Sequence, residues 1–182
     1  MPARAMRADA RRNYEQLVAA AMAVVAEEGP DASLNEVAKR AGVGAGTLYR
    51  HFPTRESLLA AVYEGRLARL CARAEEAGGA LPPAEALVDW LRALVTHAMT
   101  DRGLGARMML SPEAAGVDCW ATLHAAAERL LRPAQEAGAV RADVEAADLI
   151  ALAGGIAQAT PDPAHATHLL TLTLTGLLTP TP

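Results

Sequence analysis

The sequence predicts an all-α fold, and three observations carry the prediction. Aromatic residues make up only 3% of the 182 residues, whereas sandwiches and barrels lean on aromatic and β-branched side chains. The chain is rich instead in Ala, Leu, Arg and Glu, which favour helices. Apolar residues recur at i, i+3, i+4 and i+7 between breaks supplied by Gly and Pro. With 52% hydrophobic and 21% charged residues, the composition suits a packed core rather than a disordered chain.

Each segment follows from its own pattern. Residues 1–9 lack apolar periodicity and are expected to fray. From about Arg11 to Glu28, Tyr14, Leu17, Val18, Ala21, Val24 and Val25 define one helix face, and Gly29-Pro30 stops it. Ser33-Leu34-Asn35-Glu36 has the form of a capping box opening a short helix whose inner face is Leu34, Val37, Ala38 and Ala41. Gly42 breaks it, and a third short helix from about Gly44 to His51 turns Leu48 inward. Thr54 is the expected N-cap of a long fourth helix reaching about Ala77, where Gly78-Gly79 ends it. Pro82-Pro83 begin a fifth, with Leu87, Trp90, Leu91, Leu94 and Val95 on its face. A further short helix is expected at 106–110, then a longer one from about Cys119 to Ala137 interrupted by Pro133. Asp143 and Asp162-Pro163 are the expected caps of the last two helices. The Leu/Thr alternation of 168–178 has a strand period, but no other segment offers a partner strand, so it is read as helix. About nine helices result.

Charge divides the chain. Residues 1–55 carry eight Lys/Arg against six Asp/Glu, a net of +2, while residues 56–182 carry a net of −6. A wholly basic nucleic-acid coat protein is excluded, but a local basic surface is not. Cys71 and Cys119 make no disulfide framework and read as buried thiols. Arg4, Arg7, Arg11 and Arg12 before the uncharged run Leu17–Ala26 imitate a signal peptide, but Asp9 and Glu15 interrupt the basic region and the run continues a helical pattern. No run has the length and apolarity of a spanning helix, so a cytoplasmic protein without membrane partners is expected.

The stretch Ser33 to Phe52, SLNEVAKRAGVGAGTLYRHF, reads as two short helices joined by a Gly-containing turn. That is the helix-turn-helix unit, whose second helix can lie in a DNA major groove. Ser33 and Thr54 place helix N-termini where backbone N–H groups can meet phosphates. Thr47, Tyr49, Arg50 and His51 supply hydroxyl, aromatic and cationic groups, and Lys39, Arg40 and Arg55 add cations. Leu48 already takes the inward position, which favours a phosphate contact for Tyr49 over a core role. His51 can serve DNA or pack and cap its helix, and both readings stay open. The arginines at 4, 7, 11 and 12 are read as a solvated arm, with a minor-groove role the less favoured alternative.

This stretch resembles the N-terminal domain of the TetR family of transcriptional regulators. The matching residues are Glu28-Gly29, Ser33-Leu34, Val37-Ala38, Ala41-Gly42-Val43 and Gly46-Thr47-Leu48-Tyr49-Arg50-His51-Phe52, with Arg55 and Leu58-Leu59 behind them. The resemblance covers about residues 11–65, roughly a third of the chain; further on, only residues 137–143 resemble a family junction. It departs at Gly44 and Ala45, where the family often has Ser and a longer polar residue, so readout is expected to lean on Thr47, Arg50 and DNA shape, with Gly44, Ala45 and Gly46 a bare approach.

The resemblance implies a DNA-binding domain over 1–53 and an effector and dimerisation domain over 54–182. It implies a ligand-responsive regulator, a repressor acting as a homodimer on a palindromic double-stranded operator. The dimer would form through the last two helices, with Leu149, Leu152, Ala153, Ile156, Leu169, Leu172 and Leu177 at the interface. Tyr63, Leu67, Trp90, Leu94, Met99, Met108, Met109, Trp120, Leu123 and His124 have the bulk and adaptability to line a cavity for a small apolar effector, or to be core. No catalytic, phosphate-loop or dinucleotide motif occurs, so no enzyme and no cofactor is expected. His165-x-x-His168 beside Asp162 lacks a full ligand set, and no metal is assigned there. The competing reading is a helical small-molecule-binding protein or enzyme with a vestigial helix-turn-helix, supported by Gly44, Ala45 and the net charge of −4.

Overall fold

The computed structural model describes residues 2–29, 31–101 and 119–177. Among them every regular element is a helix: α1 Pro2–Glu28, α2 Leu34–Arg40, α3 Ala45–His51, α4 Arg55–Ala80, α5 Pro83–Thr100, α6 Cys119–Glu136, α7 Ala146–Ala159 and α8 Pro163–Leu177. The all-α expectation holds. The short helix expected at 106–110 lies outside the described residues; the other eight expected helices are present. No helix among the described residues is long and apolar enough to cross a membrane. Two compact units divide the chain, with the boundary inside α4 between Arg66 and Leu67.

In the first unit α1 starts at Pro2, earlier than the expected Arg11. Proline suits a first helical position, and the Ala/Arg/Met run behind it needs no apolar periodicity to stay helical. Leu17, Val24, Val37, Leu48, Phe52, Leu58 and Val62 are buried. The capping box expected at Ser33 does not form, since the Ser33 side chain makes no cap hydrogen bond. Its backbone N–H donates instead to Glu28 Oε2 at 3.4 Å. Glu36 lies 3.6 Å from Lys39 and 3.7 Å from Arg40, and these ion pairs draw its carboxylate forward along the helix. A reciprocal cap forms at α4, where Ser57 N–H donates to Thr54 Oγ1 at 3.1 Å and Thr54 N–H to Ser57 Oγ at 3.3 Å.

In the second unit α5 packs against α6, α7 and α8, and its Trp90, Leu91 and Leu94 sit in the common core. The Trp90 indole N–H donates to the Leu70 carbonyl of α4 at 3.1 Å. α4 runs through Gly78-Gly79 to Ala80, past its expected end. A methyl on Gly78 would stand 3.3 Å from Leu130 Cδ2, so glycine admits α6 close to α4. α6 keeps Pro133 inside its last turns and ends at Gly138, whose φ is +68°. Gly138 N–H donates to Gln135 O and Ala139 N–H to Ala134 O, each at 2.9 Å. This is a Schellman cap, which requires the left-handed conformation that glycine adopts without strain. Asp143 is not the cap of α7, because Arg141 holds its carboxylate through bonds of 2.9 and 2.6 Å. Glu145 and Asp148 form the capping box in its place.

The Leu/Thr segment is the helix α8, capped by Asp162 Oδ1 accepting from Ala164 N–H at 2.9 Å. Thr167 and Thr171 hydroxyls donate to the carbonyls of Pro163 and Thr167 at 2.9 Å, and Thr173 to Leu169 at 2.7 Å. The polar half of the alternation is thus satisfied along the helix itself.

Two glycine substitutions should move stability in opposite directions. Gly42 has φ +69°, so Gly42→Ala should cost roughly 1–2 kcal/mol, as for any L-residue forced left-handed. Gly46 lies inside α3 with open space where its Cβ would be, and Gly46→Ala should stabilise by roughly 0.5–1 kcal/mol. Thermal denaturation of the two variants checks the sign; a shared sign would contradict the backbone assignment.

Candidate functional site

The turn between α2 and α3 is built by Gly42. Its N–H donates to Lys39 O at 3.1 Å and Val43 N–H to Ala38 O at 3.0 Å, a second Schellman cap. α3 then begins after Gly44, whose carbonyl accepts from Thr47 N–H at 2.9 Å and Leu48 N–H at 3.2 Å. Leu48, 1% exposed, faces the core with Val37 and Ala38. The opposite side carries Ala45, Gly46, Tyr49 and Arg50 into solvent, and Tyr49 is 49% exposed. Ser33, Lys39, Gly44 and Thr54 are exposed, and Thr47 is half-buried.

Two of the expected DNA residues are held by the fold. His51 is half-buried, its ring 6.1 Å from Tyr14 and 6.4 Å from Phe52, and Tyr14 lies 5.2 Å from Phe52. These ring contacts fit the packed reading of His51. Burial, and then the nearby Glu64 carboxylate, push the Tyr14 phenol above its ordinary range. Arg55 is half-buried and donates from Nη1 to the Ala32 carbonyl at 2.6 Å, tying α4 to the loop before α2. Arg40 is likewise engaged, with Glu27 at 2.6 Å. Tyr14 was readable only as one more apolar position of α1; its clustering with His51 and Phe52 depends on how the helices pack.

In the second unit the expected effector residues separate. Trp90 is fully buried and hydrogen-bonded, and Leu67, Leu94 and Leu123 are buried beside it in the core. Met99 is half-buried against the same core. Tyr63 is half-buried in the first unit rather than the second. Met108 and Met109 lie outside the described residues. Trp120, 53% exposed, and His124 line an open groove of about 710 Å³ along α6, together with Ala121, Ala125, Glu128, Arg129 and Arg132. A second groove of about 470 Å³ lies between α4 and α6, lined by Cys71, Glu75, Thr122 and Arg129 among others. A third, of about 360 Å³, is bounded by α4, α5 and α6 near Gly78, Ala86 and Leu130. Glu128 and Arg129 were missed in the sequence, although the spacing 120, 124, 128 marks one helix stripe. Cys71 and Cys119 are half-buried and not in a disulfide, and burial pushes the Cys71 thiol upward.

The expected interface residues also separate. Leu149, Ala153 and Ile156 are buried within their own chain, against α5 and α8. Leu152, Leu169 and Leu177 are half-buried, and Leu172 is 56% exposed. No charged side chain occurs in 149–161 or 163–177, so the accessible sides of α7 and α8 are almost uncharged.

Residues 17–62 match the family described as bacterial regulatory proteins, tetR family. Residues 82–179, more than half of the chain, match the C-terminal domain of SbtR-like transcriptional regulators. The crystal structure of the TetR transcriptional regulator SCO0520 from Streptomyces coelicolor is 38% identical, with 92% of this chain and 99% of that one aligned at a TM-score of 0.77. A TetR regulatory protein from Mycobacterium vanbaalenii is 36% identical, with 96% and 99% aligned at a TM-score of 0.76. The fatty acid metabolism regulator protein of Bacillus subtilis is 36% identical over 67 residues, so the match spans 36% of this chain and only about a third, 34%, of that curated relative. A helix-turn-helix head with an exposed third helix, an all-helical second unit and these two family matches lead to one conclusion: the chain belongs to the TetR family of transcriptional regulators.

Proposed function

We propose that the protein is a homodimeric repressor that binds a palindromic operator through α3 and leaves it when a small molecule binds the second unit. The observation that carries this reading is the division of α3 into a buried Leu48 side and an exposed Tyr49–Arg50 side. A helix so anchored can enter a major groove without losing its place in the head. Gly44, Ala45 and Gly46 present almost no side chain, so the backbone can approach DNA closely while Tyr49 and Lys39 meet phosphates. Base preference then falls to Arg50 and Thr47 and to the deformability of the operator.

The almost uncharged accessible sides of α7 and α8 support pairing with a second copy. An exposed leucine such as Leu172 on an uncharged helix face gains by leaving water, roughly 1.5–3 kcal/mol for full burial. Pairing sets two heads on one operator, matching successive major grooves about 34–36 Å apart. An effector that binds the free form more tightly than the DNA-bound form then dissociates the complex; a tenfold loss of operator affinity needs a coupling of about 1.4 kcal/mol. The domain division follows, with 1–53 reading DNA and 54–182 carrying the effector site and the dimer contacts.

Gel-shift titration against DNA upstream of the gene tests the core of this reading. Tyr49→Ala should weaken binding to all sequences by roughly 1 kcal/mol, as for one lost hydrogen bond to phosphate. Arg50→Ala should relax base preference instead. Wild-type affinity in both variants, with unchanged circular dichroism, would remove α3 from the interface. Arg55→Ala should act differently, because it leaves the Ala32 carbonyl without its charged donor; a loss of folding stability of roughly 1–3 kcal/mol is expected in denaturant titration.

Sedimentation tests the dimer. Leu172→Glu should yield folded monomers with weakened operator binding, since one head then holds one half-site. Ile156→Glu should instead unfold the second unit, because Ile156 is buried in its own chain. A Leu172→Glu protein that still sediments as a dimer would place the contact elsewhere.

A further inference from the structure

We propose that the outer face of α6 binds a lipophilic aromatic cation, with the apolar body of the ligand against Trp120 and its charge toward Glu128. The inference rests on the ligand-responsive reading above and names the class of effector. It comes from separating the polar groups of the groove that already have partners from those that do not. Arg129 is ion-paired with Glu75 of α4, and Arg132 lies 3.9 Å from Glu136. Both cations of the groove therefore have carboxylates of their own. Glu128 makes no hydrogen bond or ion pair among the described residues. His124 meets only the Trp120 ring there, at 6.4 Å between centroids.

Trp120, His124 and Glu128 follow one another at i, i+4 and i+8, which places them along one stripe of the helix. Ala121 and Ala125 beside them leave the groove floor low, so a flat ring system can reach the indole. The face of an exposed indole attracts a cation through its quadrupole. One helical turn beyond His124, the unpaired carboxylate adds attraction of the same sign. An anion entering this groove would compete with Glu75 for Arg129 and with Glu136 for Arg132, and would meet the repelling charge of Glu128.

Two probes of nearly equal size and shape and opposite charge, tetraphenylphosphonium and tetraphenylborate, separate charge from apolarity. Each is titrated into the protein while tryptophan fluorescence is followed, with Trp120→Phe assigning the signal to the exposed indole. The phosphonium should give a saturable change and the borate should bind about tenfold more weakly, the sum of a cation–ring and an exposed ion-pair preference. Glu128→Gln should weaken phosphonium binding about threefold, the size of an exposed ion pair. Glu128→Arg should reverse the order of the two ions. Equal binding of the two ions, tighter binding of the borate, or an unchanged preference in Glu128→Gln overturns the proposal. Operator release is read separately by gel shift. Release by neutral or anionic compounds alone sinks this assignment and leaves the ligand-responsive reading standing. Phosphonium bound at Trp120 without operator release sinks the effector role itself.

Discussion

The Trp90 indole fixes much of the second unit, because an indole N–H withdrawn from water needs an acceptor. Trp90 is 0% exposed and finds that acceptor in the Leu70 carbonyl, at 3.1 Å. The bond joins α5 to α4 at the same place where the largest side chain of the core is packed. Leu67, Leu70, Leu91, Leu94 and Leu130 belong to the same buried core. A helix surrounded in this way must be apolar on most sides, and α5 is: α6, α7 and α8 all pack on it. The Arg73–Asp89 fork, with bonds of 2.9 and 2.8 Å, holds α4 and α5 together at the solvent edge and keeps the Asp89 carboxyl below its usual range.

Central packing on α5 decides which apolar residues remain available for anything else. Leu149, Ala153, Ile156, Leu170 and Leu174 are spent inside the chain. What is left outside is a different set: Leu172 on α8, Trp120 on α6 and Leu81 just before α5. Trp90 and Leu94 are buried in the core, and open grooves lie beside α6. Those grooves are polar at their rims, with Glu75, Glu128, Arg129 and Arg132, so any occupant must satisfy charge as well as shape.

The DNA-reading head follows a parallel economy. Leu48 and Phe52 anchor α3, Gly42 makes the turn before it, and Arg55 pins the start of α4 to Ala32. With His51 drawn into the Tyr14–Phe52 cluster, the outward side of α3 is left to Tyr49 and Arg50 among small residues. Rigidity on one side and bareness on the other come from the same seven-residue helix.

The sequence by itself determined the helical class, the places of most breaks and the helix-turn-helix, because these depend on local pattern: apolar spacing, glycine at Gly42 and Gly138, and Thr54 and Asp162 at helix starts. It also carried the family, through the run from Gly46 to Phe52. Local pattern misjudged Ser33, Asp143 and Gly78-Gly79, where a competing ion pair or a neighbouring helix changed the outcome. Only the tertiary structure decided which residues of an apolar stripe face the chain and which face solvent. Trp90 and Trp120 look alike as bulky residues on helical faces, yet one is the centre of the core and the other is 53% exposed. The difference lies in how many helices surround each one, and that is set by packing between segments far apart in sequence, which no local spacing encodes.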